Sequence, residues 1–250
     1  MNMTGIFMGY ICICMLITVK ELVKAWSIEP SGVIHIGAHA GEESSDYERH
    51  NWAPVIWVEA NPHLISRLRE AVAREDTVLC AALWDENQIS MEFNIATNGE
   101  SSSLLQPALH LEEYPEIHFE SRITLQTSRL DSLLSEIPNF LNLDVQGAEL
   151  KVLRGMGNLI NSLDYIYTEI NEAELYVNCA KLNDLENFLE IAGFKRLCLR
   201  RYGRSGWGDA FFARKKLALN PSLRVLTKTF IFYSKIRGYI ALNFLRRLIK

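Results

Sequence analysis

Short apolar runs alternate along the chain with stretches whose apolar residues recur at helical spacing. Val33-Ile34-His35-Ile36 and Val55-Ile56-Trp57-Val58 are nearly continuous apolar runs, the pattern of strands covered on both faces. Further strands are expected over residues 77–83, 140–143 and 165–170, with a last pair over 195–200 and 209–213. Helical spacing falls between them, over residues 41–49, 62–74 (with Pro62 at the opening turn), 148–156 and 182–192. Gly155 and Gly157 close the third of these helices and Gly193 the last. Such alternation predicts a right-handed βαβ series and a doubly wound, mostly parallel sheet with helices on both faces.

The alternation lapses between Trp84 and Thr127. There residues 89–96 read as an extra strand, 98–103 as a loop and 122–126 as a strand pairing back, followed by a short helix over 130–136. Long insertions at the carboxyl edge of a sheet are where specificity tends to reside. Ser101, Ser102 and Ser103 are therefore placed at a substrate mouth, with a solvated serine loop as the bland reading.

The ends need separate treatment. Residues 5–19 form an uncharged run of fifteen, shorter than the roughly 20 apolar residues that span a bilayer, and residues 16–26 suit an amphipathic helix covering a ligand pocket. From Ala210 to Lys250 there are ten Lys and Arg and no acid, so the preceding residues carry 16 basic against 30 acidic side chains. Residues 223–250, apolar and basic, match an interfacial helix that meets an anionic membrane, with packing on the domain as the alternative. The organisation expected is an N-terminal segment over 1–29, a main domain over 30–216 and a basic tail over 217–250.

Five scattered cysteines lack metal-binding spacing and suit a reducing, cytoplasmic setting, to which the basic tail adds the option of a peripheral place at the inner membrane face; Cys80 and Cys198 are expected buried in strands. His50, His63, His110 and His118 are expected in solvated positions. Tyr165, Tyr167 and Tyr176 read as core, and no nucleic-acid motif is present.

Chemistry concentrates where the first strand breaks into Gly37-Ala38-His39-Ala40-Gly41. Glycines four apart after a strand let backbone approach a ligand, and Glu59, twenty-two residues beyond Gly37 at the end of the second strand, stands where a nucleoside-binding fold places a ribose-binding carboxylate. The absence of Gly-x-Gly-x-x-Gly disfavours a nicotinamide-dependent oxidoreductase and favours a ligand without phosphates, such as S-adenosylmethionine.

Together with Val58-Glu59-Ala60-Asn61-Pro62, Ser101-Ser102-Ser103-Leu104-Leu105, Leu143-Asp144-Val145-Gln146-Gly147-Ala148-Glu149 and Trp207-Gly208-Asp209-Ala210, this turn resembles the FkbM-type family of S-adenosylmethionine-dependent methyltransferases, from about Val33 to Lys215. The resemblance implies a Rossmann-like class I methyltransferase fold with a seven-stranded sheet whose last strand is antiparallel. It implies O-methylation of a sugar hydroxyl in a glycan or polysaccharide precursor, which the basic tail would suit if that precursor were lipid-linked. Cofactor contacts are expected at Gly37, Ala38, His39, Gly41, Glu59, Ala60, Ala82 and Asp144, and substrate contacts at the three serines, Glu169 and Asn171. Asp144 or His39 is the candidate base; Glu149 reads equally as a carboxylate at a helix start.

Two positions depart from the family: His35 where an acid is common, with a neutral histidine satisfied by backbone as the simpler reading, and Asn142 where a lysine is common. They motivate the other reading, a catalytically weak, membrane-associated scaffold with the same fold. Magnesium on Asp144, Glu169 and Asn171 is possible but not favoured, since the spacing is not diagnostic.

Overall fold

A computed structural model describes residues 17–202 and 206–218. The apolar run up to residue 16 and the basic helix expected over 223–250 lie outside the described residues. The strands are β1 (Val33–Ile36), β2 (Val55–Glu59), β3 (Thr77–Cys80), β4 (Ala82–Leu83), β5 (Ser90–Ala96), β6 (Phe119–Ser128), β7 (Phe140–Leu143), β8 (Tyr165–Asn171), β9 (Phe194–Arg201) and β10 (Trp207–Arg214). The helices are α1 (Val19–Trp26), α2 (Ser44–Arg49), α3 (Ile65–Ala71), α4 (His110–Glu113), α5 (Leu130–Leu133), α6 (Glu149–Gly155), α7 (Leu182–Ile191) and α8 (Lys215–Ala218).

Seven strands form one sheet in the order β3-β2-β1-β7-β8-β10-β9, and β4-β6-β5 form a small second one. The first five run parallel, while β10 is antiparallel to both β8 and β9 and lies between them. This is the Rossmann-like arrangement that the alternation predicts, with the terminal strand inserted rather than added at the edge. Both faces are buried: Ile34, Leu141, Ile166 and Phe212 pack with Val152 and Leu153 of α6 and Leu185 and Leu189 of α7, while Val33, Trp57, Phe140 and Phe211 pack with Leu22 and Trp26 of α1, Tyr47 of α2 and Leu68 of α3. Each such buried side chain is worth about 1.5–3 kcal/mol, which is why these strands carry apolar residues at successive positions.

Three expectations need correction. The strand over 77–83 breaks at Ala81: its N–H reaches Glu59 O at 3.0 Å, and Ala82 and Leu83 then leave the sheet to pair with Thr127 and Ser128. Helix α1 packs on the sheet face, not over the ligand cleft, with Trp26 and Phe211 ring centroids 5.2 Å apart. Its start is fixed by a Thr18–Glu21 capping box, and Arg200 of β9 donates to both Glu21 oxygens at 2.9 and 3.1 Å. Cys80 is exposed on the edge strand β3 and Cys198 is half-buried on the other edge strand, β9.

Candidate active site

The carboxyl ends of β1, β2, β7 and β8 and the start of β10 enclose a cleft of about 270 Å³. In an open α/β sheet this is where strand order reverses and ligands bind. At one end the turn after β1 is held by Gly37 and Ala38 N–H donating to Val58 O at 2.9 and 3.1 Å. Gly37 has φ 85°, and a Cβ there would lie 1.6 Å from Asp144 O, so only glycine permits β1 and the loop after β7 to approach this closely.

Glu59 is buried with both oxygens engaged: Oε2 accepts from His39 N–H at 2.8 Å and Oε1 from Asn61 N–H at 2.7 Å. Burial raises its pKa against these donors and the nearby His39. Burial pulls His39 down, but the hydrogen bond from its Nδ1 to Glu42 at 2.9 Å, with the charges of Glu42, Glu100 and Glu59, outweighs that and leaves it raised. A histidine held up in pKa by Glu42 in this way is a weak candidate for the base.

Deeper in the cleft, His35 sits on β1 beside Asn142 of β7. Burial lowers its pKa to about 3, so it is neutral, but its partner is the Tyr47 hydroxyl at 3.3 Å rather than backbone; Asn142 donates to that hydroxyl at 2.8 Å. Glu43, 3.8 Å from His35, is pushed by burial up to about 8.

Asp144 follows directly on β7 and Glu169 faces it from β8. Gln146 Nε2 donates to Asp144 Oδ1 and Glu169 Oε2, both at 2.7 Å, and its Oε1 accepts from Tyr176 at 2.7 Å. Burial raises both carboxyls, Glu169 well above the usual range because Asp144 and Glu149 add their charges. The two acids are hydrogen-bonded to each other, and burial with mutual repulsion makes it costly for both to be ionised, Glu169 being raised the further. Glu149 opens α6, where its Oε1 accepts from Val145 and Gly147 N–H at 3.2 and 3.0 Å; burial pushes it up to about 7. Ligand atoms of Asp144, Glu149 and Glu169 all lie within 4.8 Å of one another, near enough for one cation, and each carboxylate also accepts from at least one N–H donor.

The other end of the cleft is aromatic. Trp207 Nε1 donates to Tyr114 Oη at 2.7 Å, and Tyr202 stacks on Trp207 with centroids 4.8 Å apart. Tyr167 donates to Asp209 across β8 and β10, and accepts from Ile17 N–H at 3.3 Å.

Of the residues expected to bind ligand, Gly37, Ala38, His39, Glu59, Ala60, Asp144, Ser101, Ser102 and Glu169 line the cleft, whereas Gly41, Ala82, Ser103 and Asn171 do not. Gly41 has φ 80° and faces Leu68 and Val72 of the α3 region. The break in β3–β4 turns Ala82 into the small-sheet core and leaves Ala81 at the cleft. Ser103 locks the insertion by donating to Gln146 O at 2.8 Å and accepting from Leu105 N–H at 2.9 Å. Asn171, one step beyond Glu169 on the same strand face, is fully buried away from the cleft. His110, expected in solvent, is buried; it lines the cleft, as do Tyr114, Tyr167 and Tyr202, none of which its local sequence marks as a ligand contact, and Gln146, which stands in Asp-Val-Gln-Gly without a role attached to it. Asp209 and Trp207 had a signal in Trp-Gly-Asp-Ala, but no role attached to it.

Residues 35–196 match the Methyltransferase FkbM domain. The chain is 30% identical over 196 residues to the 2-O-methyltransferase NoeI of Sinorhizobium fredii, covering 71% of this chain and 80% of that one. It is 26% identical over 154 residues to the hexuronic acid methyltransferase AglP of Haloferax volcanii, covering 55% and 61%. Among solved structures, a ribosomal protein L11 methylase from Lactobacillus delbrueckii subsp. bulgaricus superposes with a TM-score of 0.45 at 11% identity, over 77% of this chain and 74% of that one. With its glycine turn, its strand-end acids and a family match over most of its length, the chain belongs to the FkbM family of methyltransferases.

Proposed function

We propose that this methyltransferase uses S-adenosylmethionine to methylate a hydroxyl of a sugar. The observation that carries the reading is a single cleft with a buried strand-end carboxylate, Glu59, at one end and the hydrogen-bonded Asp144–Glu169 pair on its floor. The residues fit the cofactor. Glu59 retains lone pairs for ribose hydroxyls beyond the two that its backbone donors use, and Ala60, Ala81, Leu83 and Phe93 give apolar wall for a flat base. When bound, S-adenosylmethionine supplies an electrophilic methyl on a sulfonium that leaves as a neutral thioether.

Everything else falls to the chain. As the acceptor oxygen forms its bond to carbon, Asp144 takes the hydroxyl proton; burial makes it a stronger base than a solvated aspartate. Glu169 is raised further than Asp144, which favours ionisation of Asp144 within the pair, and Gln146 holds both carboxyls in place. General-base help of this kind contributes about 10²–10⁴-fold, and alignment of the reacting groups more.

A sugar acceptor is favoured by the names of the two relatives, one a 2-O-methyltransferase and the other acting on a hexuronic acid. The basic, apolar segment from residue 223 suits an anionic membrane surface and a lipid-linked acceptor. Among the described residues no helix is long and apolar enough to cross a membrane. Flotation with anionic vesicles tests the surface: the full chain should float at low salt and a chain ending at Asn220 should not.

For the activity itself, the full chain is incubated with methyl-labelled S-adenosylmethionine and a panel of glycosides. Label in an alkali-stable ether is the expected result. Label only in an alkali-labile ester, or none in any sugar, would overturn hydroxyl methylation.

A further inference from the structure

Given sugar methylation, on which this inference rests, the charge and shape of the cleft say more than the reaction class does. Seven carboxyls line it, Glu42, Glu43, Glu59, Glu100, Asp144, Glu169 and Asp209, and among its described lining residues there is no Lys or Arg. Among the described lining residues the one basic side chain held up in pKa, His39, is already tied to Glu42, so an acidic sugar entering there would lose its water without gaining a free cation from them. Burial raises Glu43 to about 8 and Glu169 well above the usual range, but the carboxyls that stay ionised repel an incoming carboxylate, and like charges brought together at an interface decide between ligands.

The end beyond Asp144 is built differently. Trp207 is fixed by its hydrogen bond to Tyr114 and by the stacked Tyr202 ring, which is itself 37% exposed. His110 lies behind them, its ring between those of Tyr114, Phe119 and Tyr176 at 5.1, 5.8 and 5.4 Å. It is only 4% exposed, and its Nδ1 is sealed from solvent with no hydrogen-bond partner. Burial holds its pKa below the ordinary value, so the ring is neutral. Packed among three rings, His110 backs the wall and keeps it rigid, and a rigid aromatic wall suits the aliphatic face of a pyranose.

We infer that this end is a subsite for an uncharged sugar ring, lying against the Trp207–Tyr202 wall with His110 behind it, and that the surrounding carboxyls exclude uronic acids. Specificity then comes from a repulsive as well as an attractive element. The assignment separates this chain from its hexuronic-acid relative and places its acceptor among neutral glycans.

Saturation-transfer NMR on the full chain, with S-adenosylhomocysteine present, tests it on matched pairs: methyl glucoside and methyl glucuronide, and the galactose and mannose equivalents. Neutral members should bind, and each uronate should bind at least about tenfold more weakly. Tyr202→Ala, at an exposed position, should weaken the neutral members several-fold, while Glu100→Gln should narrow the gap between the twins. A uronate that binds as tightly as its neutral twin overturns the assignment. So does the absence of neutral binding in a chain that still binds S-adenosylhomocysteine, or binding unchanged by Tyr202→Ala. Loss of S-adenosylhomocysteine binding in a separate titration would instead strike the reading beneath, leaving the subsite to be judged on its glycoside signals.

Discussion

The two ends of the cleft are made from different materials. The Glu59 end consists of backbone: turns with positive φ at Gly37 and His39, N–H groups of His39 and Asn61 aimed at one carboxylate, and glycine where two chains nearly touch. The Trp207 end consists of side chains contributed by α4, the loop after β9 and the start of β10, with almost no backbone role. A ligand common to a whole family can be held by main chain, which tolerates sequence change; a ligand particular to one enzyme is met by side chains that can be exchanged without touching the sheet.

That contrast can be broken most severely at Gly37. In Gly37→Ala the new methyl would fall 1.6 Å from Asp144 O in a backbone conformation that disfavours alanine, so β1 and the loop after β7 must part. A loss of several kcal/mol is expected, on the scale of a small domain's whole stability, and thermal denaturation should show little folded protein. A variant melting within a degree or two of the wild type would refute the close approach.

Next in size is Asp144→Asn, which keeps shape and removes the base. Turnover at saturating substrate should fall about 10²-fold or more with cofactor affinity little changed. In the wild type, turnover should rise with pH as Asp144 loses its proton, with a midpoint above that of an ordinary aspartate. A kcat that is flat across the acidic range and indifferent to the substitution would remove Asp144 from proton transfer.

Glu59→Gln is gentler. The amide retains one acceptor oxygen but must leave either His39 or Asn61 N–H unmet and gives up the charge, so cofactor affinity should drop by about ten- to a hundredfold, read by calorimetric titration. Binding of neutral glycosides at the other end should be unaffected; a parallel loss there would mean that the two ends are one unit.

The smallest effect concerns the buried pair between them. His35, depressed to about 3 from 6.5, contributes stability that is complete above pH 6.5 and is lost as pH falls. Glu43, raised from 4.5 to about 8, contributes stability that is complete below pH 4.5 and is lost as pH rises toward 8. Between 4.5 and 6.5 the two slopes oppose each other, so stability should be highest there and decline by about 2 kcal/mol from pH 6.5 to 8 as Glu43 is forced to ionise. Glu43→Gln should abolish that alkaline decline in a melting series and, with nothing left to oppose His35, start the acid decline near pH 6.5 instead of 4.5.

The sheet is legible in the sequence because strands buried on both faces cannot hide: β1, β2, β7 and β8 stand within a residue of where their apolar runs place them. Helices are shorter than their periodicity suggests; α2 begins at Ser44 and α3 at Ile65, since the residues before them are spent on turns that carry the cleft. Ala82 is misplaced by the sequence pattern because a break of one residue reverses which face a side chain meets, and nothing local announces that Ala81 closes onto Glu59. His110 is hidden for another reason. Its burial is imposed by Phe119, Tyr176 and Tyr114, and only the folded insertion brings the first two near it.

The position of β10 governs how the molecule can be assembled. The last strand of the sheet enters between two partners made before it, β8 and β9, pairing with both along nearly its whole length. Until residues 207–214 have left the ribosome, β8 and β9 each present an open row of backbone donors and acceptors, and β9 has no neighbour in the sheet. Non-local pairing of this sort is slow and exposed to aggregation, and here it also completes the cleft by bringing Asp209 beside Glu169. Synthesis that halts short of Trp207 therefore yields a sticky, unfinished sheet, and the Trp207 end of the cleft is the last part to come into being.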